Sequence, residues 1–230
     1  MSSTFTVAGW AAAAGVGLAL AGPASAALIY VDANHTTNTT PSTAFAATNA
    51  DDNLWTQRTV FASGGTIYES GQGDGENSPE IVTTITGLAP NTAYTIYVHF
   101  WDGSGTAPDW NVRAGLSSNP GANTLFANPA DAADISATPG VLASSLSYST
   151  APTVFVEADR TMFAGLVGEG TSNSAGELSV FVDDLPSTIG VNNRSWYDGV
   201  SYEAVPEPSA TALLALGGLL AARRRRRRRA

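Results

Sequence analysis

The chain has 230 residues, no cysteine and a formal net charge of −9. The missing cysteines exclude a disulfide framework and a thiolate metal site, and the roughly 180 residues between the two apolar ends suffice for one domain with a real core. Without Glu207 and the seven arginines near the C-terminus, four basic residues face 19 acidic ones, so the body repels nucleic acid, suits a soluble external protein and favours divalent cations.

The first 26 residues have the features of a secretory signal peptide. An apolar run extends from Trp10 to Leu20, and Ala24-Ser25-Ala26 forms an A-x-A cleavage site. The segment before the apolar run has no Lys or Arg, and a buried helix of the folded domain is the alternative interpretation. We predict a signal helix over residues 1–26, cleaved by signal peptidase between Ala26 and Ala27.

Residues 27–204 are predicted to form a single all-β domain. In the segment from Thr92 to Trp101, every second side chain, from Tyr94 to Phe100, is apolar or aromatic, the period of a strand. About ten such short runs are separated by Gly, Pro and Asn. We expect an antiparallel β-sandwich of the jelly-roll or galactose-binding type. Residues 84–100, TITGLAPNTAYTIYVHF, resemble the GLxPxTxYxxxV corner of fibronectin type III domains; the resemblance covers one hairpin and implies the architecture rather than the family.

An acidic, glycine-containing segment follows the first third of the chain. It includes Asp74, Glu76, Asn77 and Glu80, and two further acidic groups occur at residues 51–53 and 183–184. Calcium takes six to eight oxygen ligands, which such loops supply. The segment predicts a structural Ca²⁺ site, and the alternative is a set of solvated turns on an acidic surface.

Aromatic and polar residues cluster around a predicted loop at residues 102–109. Trp101, Asp102, Asp109, Trp110 and Arg113 combine indoles, which stack on sugar rings when exposed, with polar groups that bind hydroxyls. We interpret this group as a candidate carbohydrate-contact rim. Packing of the two indoles in the core is the alternative.

Sequence motifs of catalysis are missing from the chain. There are only two histidines, and neither a G-x-S-x-G elbow nor a glycine-rich phosphate loop occurs. Acidic residues are numerous, but the separation of two carboxylates, which defines glycoside hydrolysis, is not readable from sequence. We therefore expect a protein that is not an enzyme, and retain a secreted polysaccharide hydrolase as the alternative.

The C-terminal segment, residues 205–230, has three parts in a fixed order. Pro206, Glu207 and Pro208 hold the backbone extended, an apolar run extends from about Ala210 to Ala222, and a basic block follows: Arg223, Arg224, Arg225, Arg226, Arg227, Arg228 and Arg229. The run is shorter than the roughly 20 residues that span a bilayer, but arginine stems snorkel. We predict a short transmembrane helix whose arginines stay on the cytoplasmic side; a nuclear-localisation signal, a nucleic-acid-binding tail or a disordered basic end are the alternatives.

This ordered triplet resembles the PEP-CTERM sorting signal of bacterial exosortase substrates. The resemblance implies that the inner membrane holds the precursor transiently, that an exosortase-type enzyme recognises Pro206, Glu207 and Pro208, and that the body goes to the cell surface or extracellular matrix. The arginine block is then the retention signal. Taken together, the sequence predicts an exported, non-catalytic protein with extracellular polysaccharide as its candidate ligand; a structural domain that binds nothing specific is the alternative.

Overall fold

The computed structural model describes residues 27–46, 53–58, 67–70, 77–101, 110–118, 123–127, 133–134, 146–152, 161–184 and 194–206. This part of the chain is β-structure with one short 3-10 helix at Ser42–Ala44. The predicted signal helix and transmembrane helix lie outside these residues.

The described strands form two sheets. The larger sheet contains nine strands: β1 (Leu28–Asp32), β3 (Phe45–Ala46), β4 (Trp55–Arg58), β5 (Ile67–Ser70), β7 (Ala93–Trp101), β10 (Ala133–Asp134), β11 (Tyr148–Thr150), β12 (Met162–Thr171) and β14 (Ser195–Ala204). The smaller sheet contains five: β2 (Thr39–Thr40), β6 (Ile81–Ile85), β8 (Asn111–Gly115), β9 (Thr124–Ala127) and β13 (Leu178–Asp183).

The order of strands in the larger sheet is β10-β12-β7-β14-β5-β4-β3, with β1 beside β14 and β11 beside β1. The order in the smaller sheet is β2-β6-β13-β8-β9. Among the described pairings, β1 with β11 and β3 with β4 are parallel, and the others are antiparallel. The all-β prediction is confirmed, but the purely antiparallel pattern is corrected at these two short pairs.

Side-chain alternation along β7 places the main core between the two sheets. Tyr94, Ile96, Val98 and Phe100 are at most 6% exposed and pack with residues of the smaller sheet such as Val180. Because successive side chains of a strand point to opposite faces, this is the face that the sequence period predicts. One core shared by two sheets is the arrangement of a β-sandwich.

A second apolar cluster covers the opposite face of the larger sheet. It contains Trp101 from β7, Met162 and Ala164 from β12, and Trp196 from β14, together with Ile67 and Trp110. The larger sheet is therefore buried on both faces at the end that contains Trp101 and Trp196. Its strands there are buried without alternation, as in β5, where all four residues are buried.

Strand β14 connects most of the larger sheet. One of its edges pairs with β7 from Tyr197 to Ala204. The other edge pairs with β5 at Ser195–Tyr197 and with β1 at Gly199–Tyr202. The last strand of the domain is thus an interior strand, and the sorting segment follows it directly.

Candidate functional site

The larger sheet ends where the predicted processing motif begins. Ala204 pairs with Tyr94, and the N–H of Val205 donates a last hydrogen bond of 3.0 Å to the carbonyl of Ala93. Pro206, which has no N–H and cannot extend the ladder, is exposed. The fold therefore brings the first residue of the Pro-Glu-Pro motif to solvent at the end of an interior strand. Glu207, Pro208 and Arg223 to Arg229 lie outside the described residues.

The predicted N-terminus of the mature chain lies at the same end of the sandwich. Ile29 of β1 pairs with Tyr202 of β14 in antiparallel register, which places Ala27 level with the end of β14. The N–H of Leu28 is fixed by a hydrogen bond of 2.8 Å to the carbonyl of Ser147. Ala24 and Ala26 lie outside the described residues, so the cleavage site itself stays a prediction.

The two indoles of the expected carbohydrate rim are buried. Trp101 is 0% and Trp110 is 4% exposed, and the Trp110 ring packs on Trp196 with 4.4 Å between centroids. Neither ring presents a face to a sugar, so the expected stacking by Trp101 and Trp110 is corrected. The alternative of core packing describes both residues, because a sheet covered on both faces needs large side chains there.

The remaining members of that group are polar. Arg113 pairs in register with Asp183 across β8 and β13. Burial, together with the nearby Glu80, raises the pKa of Asp183, and the Arg113 guanidinium partly offsets this shift. Asp102 and Asp109 lie outside the described residues. Arg113, the described polar member of the group, is half-buried beside Asp183.

Described residues from the three acidic groups of the sequence lie at the end of the sandwich opposite Pro206. The Oδ1 of Asn53 accepts a hydrogen bond of 2.9 Å from the N–H of Asn77. The next residue, Ser78, donates its N–H to the Asp184 carboxylate at 2.9 Å. Glu80 accepts a hydrogen bond of 3.3 Å from Asn123. Segments more than 100 residues apart in the chain are therefore neighbours.

Asp184 is a fully buried carboxyl group in this region. It is 0% exposed and accepts hydrogen bonds from Ser70 and from the N–H of Ser78. Burial raises its pKa to about 6, although these two hydrogen bonds act in the opposite direction. Among the described side chains, no three carboxyl or imidazole groups come together in a way that could hold a metal ion. Asp74 and Glu76 lie outside the described residues, so the calcium site stays a prediction.

Two buried polar networks, around Glu69 and Asp198, were not predicted from the sequence. Glu69 is 0% exposed and forms ion pairs with Arg58 and Arg194. Asp198 is 4% exposed and accepts hydrogen bonds from Trp101 Nε1 at 2.9 Å and from the Tyr30 hydroxyl at 3.0 Å. Their members come from distant strands, and no spacing in the sequence identifies them.

The burial of these carboxyl groups can be compared with the carboxylate pair that glycoside hydrolysis requires. Glycosidases need two carboxyl groups that face one substrate cleft about 5–10 Å apart. Glu69, Asp184 and Asp198 instead lie in the interior beside their own partners. A groove of about 280 Å³ opens between β12 and β13 near Thr171. Glu177 is the one acidic residue among the described residues that line this groove, whereas a glycosidase cleft needs two.

Comparison with known proteins identifies the C-terminal segment. Residues 204–228 match the PEP-CTERM protein-sorting motif, so the chain carries this signal. The match begins at Ala204, the last residue of β14. No match to a curated protein was found. Within the described ranges, no helix has the length and apolar character that crossing a bilayer requires.

Proposed function

We propose that the protein is an exported component of the cell surface or extracellular matrix, processed by an exosortase-type enzyme beside Glu207. The match of residues 204–228 to the PEP-CTERM motif carries this proposal. The fold supports it, because the sheet ends at Ala204 and Pro206 is exposed. An enzyme that cuts next to Glu207 would leave every described strand intact.

The precursor is held by the inner membrane until it is cut. The apolar run from Ala210 to Ala222 favours hydrocarbon, and the arginine block is costly to translocate. Signal peptidase removes residues 1–26 at the other end. Both steps depend on the residues of the two ends.

The body acts without catalysis, as a jelly-roll or galactose-binding-like module that contacts polysaccharide through polar groups. Because Trp101 and Trp110 are buried, stacking on sugar rings does not support this role. The proposed polysaccharide binding depends instead on Arg113 with Asp102 and Asp109. We expect the native protein to bind polysaccharide on a glycan array and the Arg113→Gln variant to lose this binding. The alternative, a secreted polysaccharide hydrolase, predicts release of reducing ends from the polysaccharide that the array identifies.

A structural Ca²⁺ is the proposed cofactor, bound near Asn77 and Glu80 together with Asp74 and Glu76. It is supported by the hydrogen bonds that bring Asn53, Asn77 and Asp184, one described residue from each acidic group, to this end of the sandwich. We expect the melting temperature to rise when Ca²⁺ is added to chelator-treated protein, because a ligand that binds only the folded state stabilises it. An unchanged melting temperature at millimolar Ca²⁺ contradicts the site.

Processing is tested by comparing two glutamates that lie four residues apart. Glu207→Gln changes the centre of the motif, whereas Glu203→Gln changes the same residue type within β14. Pulse-labelled cells should accumulate the uncut precursor in the first variant and process the second normally. Equal processing of both variants would remove Glu207 from the recognition site.

A further inference from the structure

The sandwich has two dissimilar ends. At one end lie Ala27, Pro206 and the paired turns, which we define as residues 86–92 and 172–177. At the opposite end lie the converged acidic segments around Asp184. Along β14, which joins the two ends from Ser195 to Ala204, they are about 30 Å apart at the usual rise of a strand.

The paired turns are joined by hydrogen bonds and form a base beside the processing motif. The N–H of Leu88 donates to the carbonyl of Gly176 at 3.0 Å, and the Ser172 hydroxyl donates to the carbonyl of Ala89 at 2.6 Å. The second turn follows β12, and the first leads into β7, whose residue Ala93 accepts the last hydrogen bond before Pro206. Any body that approaches Pro206 therefore approaches these turns.

The connection from this base to the apolar run is short. Four residues, and so five Cα–Cα steps, separate the last sheet hydrogen bond, at Val205, from Ala210. A fully extended chain of that length reaches at most about 17 Å. This reach is well below the length of β14, about 30 Å. If Ala210 lies at the membrane surface, an upright body tethered at Val205 must therefore have its Val205 end toward the lipid. The opposite end can reach the surface only if the body lies on its side.

Charge does not provide an alternative hold on lipid. Glu177 in the second turn is exposed, and Glu203 near the end of β14 is partly exposed, so this end does not attract anionic headgroups. The covalent connection, not affinity for lipid, keeps this end nearest the bilayer. The connections that leave the opposite end, such as residues 71–80, 102–110 and 184–194, are nine to eleven residues long, whereas the paired turns have seven and six.

From these observations we infer that the precursor stands on the bilayer with the paired turns toward the lipid surface, and that its acidic, long-loop end points away from the membrane. The processing enzyme then meets a folded body whose base is formed by residues 86–92 and 172–177. Contact with extracellular partners falls to the opposite end. This inference rests on the proposed membrane-held precursor.

Because the chain has no cysteine, a single introduced thiol reports one position. Ser174→Cys places it in the paired turns and Asn77→Cys at the opposite end; both residues are exposed. The full 230-residue chain, labelled with a fluorescent maleimide, is reconstituted in phosphatidylcholine vesicles that contain a headgroup-nitroxide lipid. Flotation with the vesicles is measured first, and lipid quenching of the label second.

We expect both variants to float and the label at Ser174→Cys to be quenched severalfold more than the label at Asn77→Cys. An insertion of about 12 Gly and Ser residues after Val205, which frees the body, should reduce this difference. Flotation with equal quenching, or with stronger quenching at Asn77→Cys, overturns the orientation and leaves the membrane-held precursor standing. A chain that does not float overturns both.

Discussion

At the scale of single residues, the paired turns depend on two glycines with left-handed backbone. Gly87 has φ of 76° and Gly176 has φ of 74°. A Cβ at Gly87 would meet no atom within 4 Å, whereas a Cβ at Gly176 would overlap the carbonyl oxygen of Leu88. The two positions therefore share a backbone requirement and differ in a steric one.

This difference predicts unequal effects of alanine. Gly87→Ala should lower the free energy of unfolding by about 1–2 kcal/mol, the cost of a left-handed L-residue. Gly176→Ala adds overpacking against Leu88, which costs about 1–3 kcal/mol more. Urea unfolding of both variants measures the difference. Equal losses would show that the two turns are not in contact as described.

A second residue-scale prediction concerns Asp198 and pH. Burial, with a contribution from the nearby Asp32, raises the pKa of Asp198 to about 8, against about 3.9 in an unfolded chain. The folded state therefore holds a proton that the unfolded state releases. The stability that this group contributes is fully present below about pH 4 and is lost as the pH rises toward 8.

Asp198→Asn should remove this dependence. The amide matches the protonated carboxyl in shape, so its oxygen can still accept from Trp101 Nε1 and its NH₂ can donate to Tyr30. Between pH 6 and 8, above the pKa of Asp184, we expect the melting temperature of the native protein to fall more steeply than that of the variant. Glu177→Gln, at an exposed residue, is the control; identical pH profiles for Asp198→Asn and the native protein would contradict the prediction.

At the scale of elements, the ion pairs of Glu69 link β5 to β4 and to the residue before β14. It lies on β5 and forms ion pairs with Arg58 of β4 and with Arg194, which immediately precedes β14. The two arginine side chains are about a quarter exposed, whereas Glu69 is 0% exposed. One buried carboxylate thus offsets two partly buried guanidinium groups.

Removing that carboxylate charge leaves the two arginines next to each other without a counter-charge. Glu69→Gln should lower the free energy of unfolding by about 3 kcal/mol, the lower range for breaking a buried ion pair. Chemical denaturation measures it, and added salt should narrow the loss because screening weakens the repulsion. A variant as stable as the native protein would mean that the interactions of the two arginines with Glu69 contribute little.

The strands differ in how far sequence predicted them. The alternation of β7 was readable because one face meets the core between the sheets, and Thr92–Trp101 was predicted close to its observed bounds, Ala93–Trp101. Strand β5, Ile67–Ser70, is buried at all four positions and shows no period. The parallel pair of β1 and β11 joins residues 120 positions apart, a distance at which local patterns carry no information.

At the scale of the whole molecule, the same contrast separates the two candidate sites. The sorting motif was readable because its three parts follow each other in the chain and each acts through its own chemistry. The carbohydrate rim was not, because the exposure of Trp101 and Trp110 is decided by distant residues such as Trp196 and Met162. The convergence of the acidic segments likewise depends on tertiary contacts, among them the hydrogen bond between Ser78 and Asp184.

The most direct test of the account is mass spectrometry of the intact protein from the envelope and from the medium. Cutting beside Glu207 predicts a mature chain that starts at Ala27 and ends between Pro206 and Pro208, without the seven arginines. A secreted form that still carries Arg223 to Arg229, or a chain found whole in the cytosol, would contradict it.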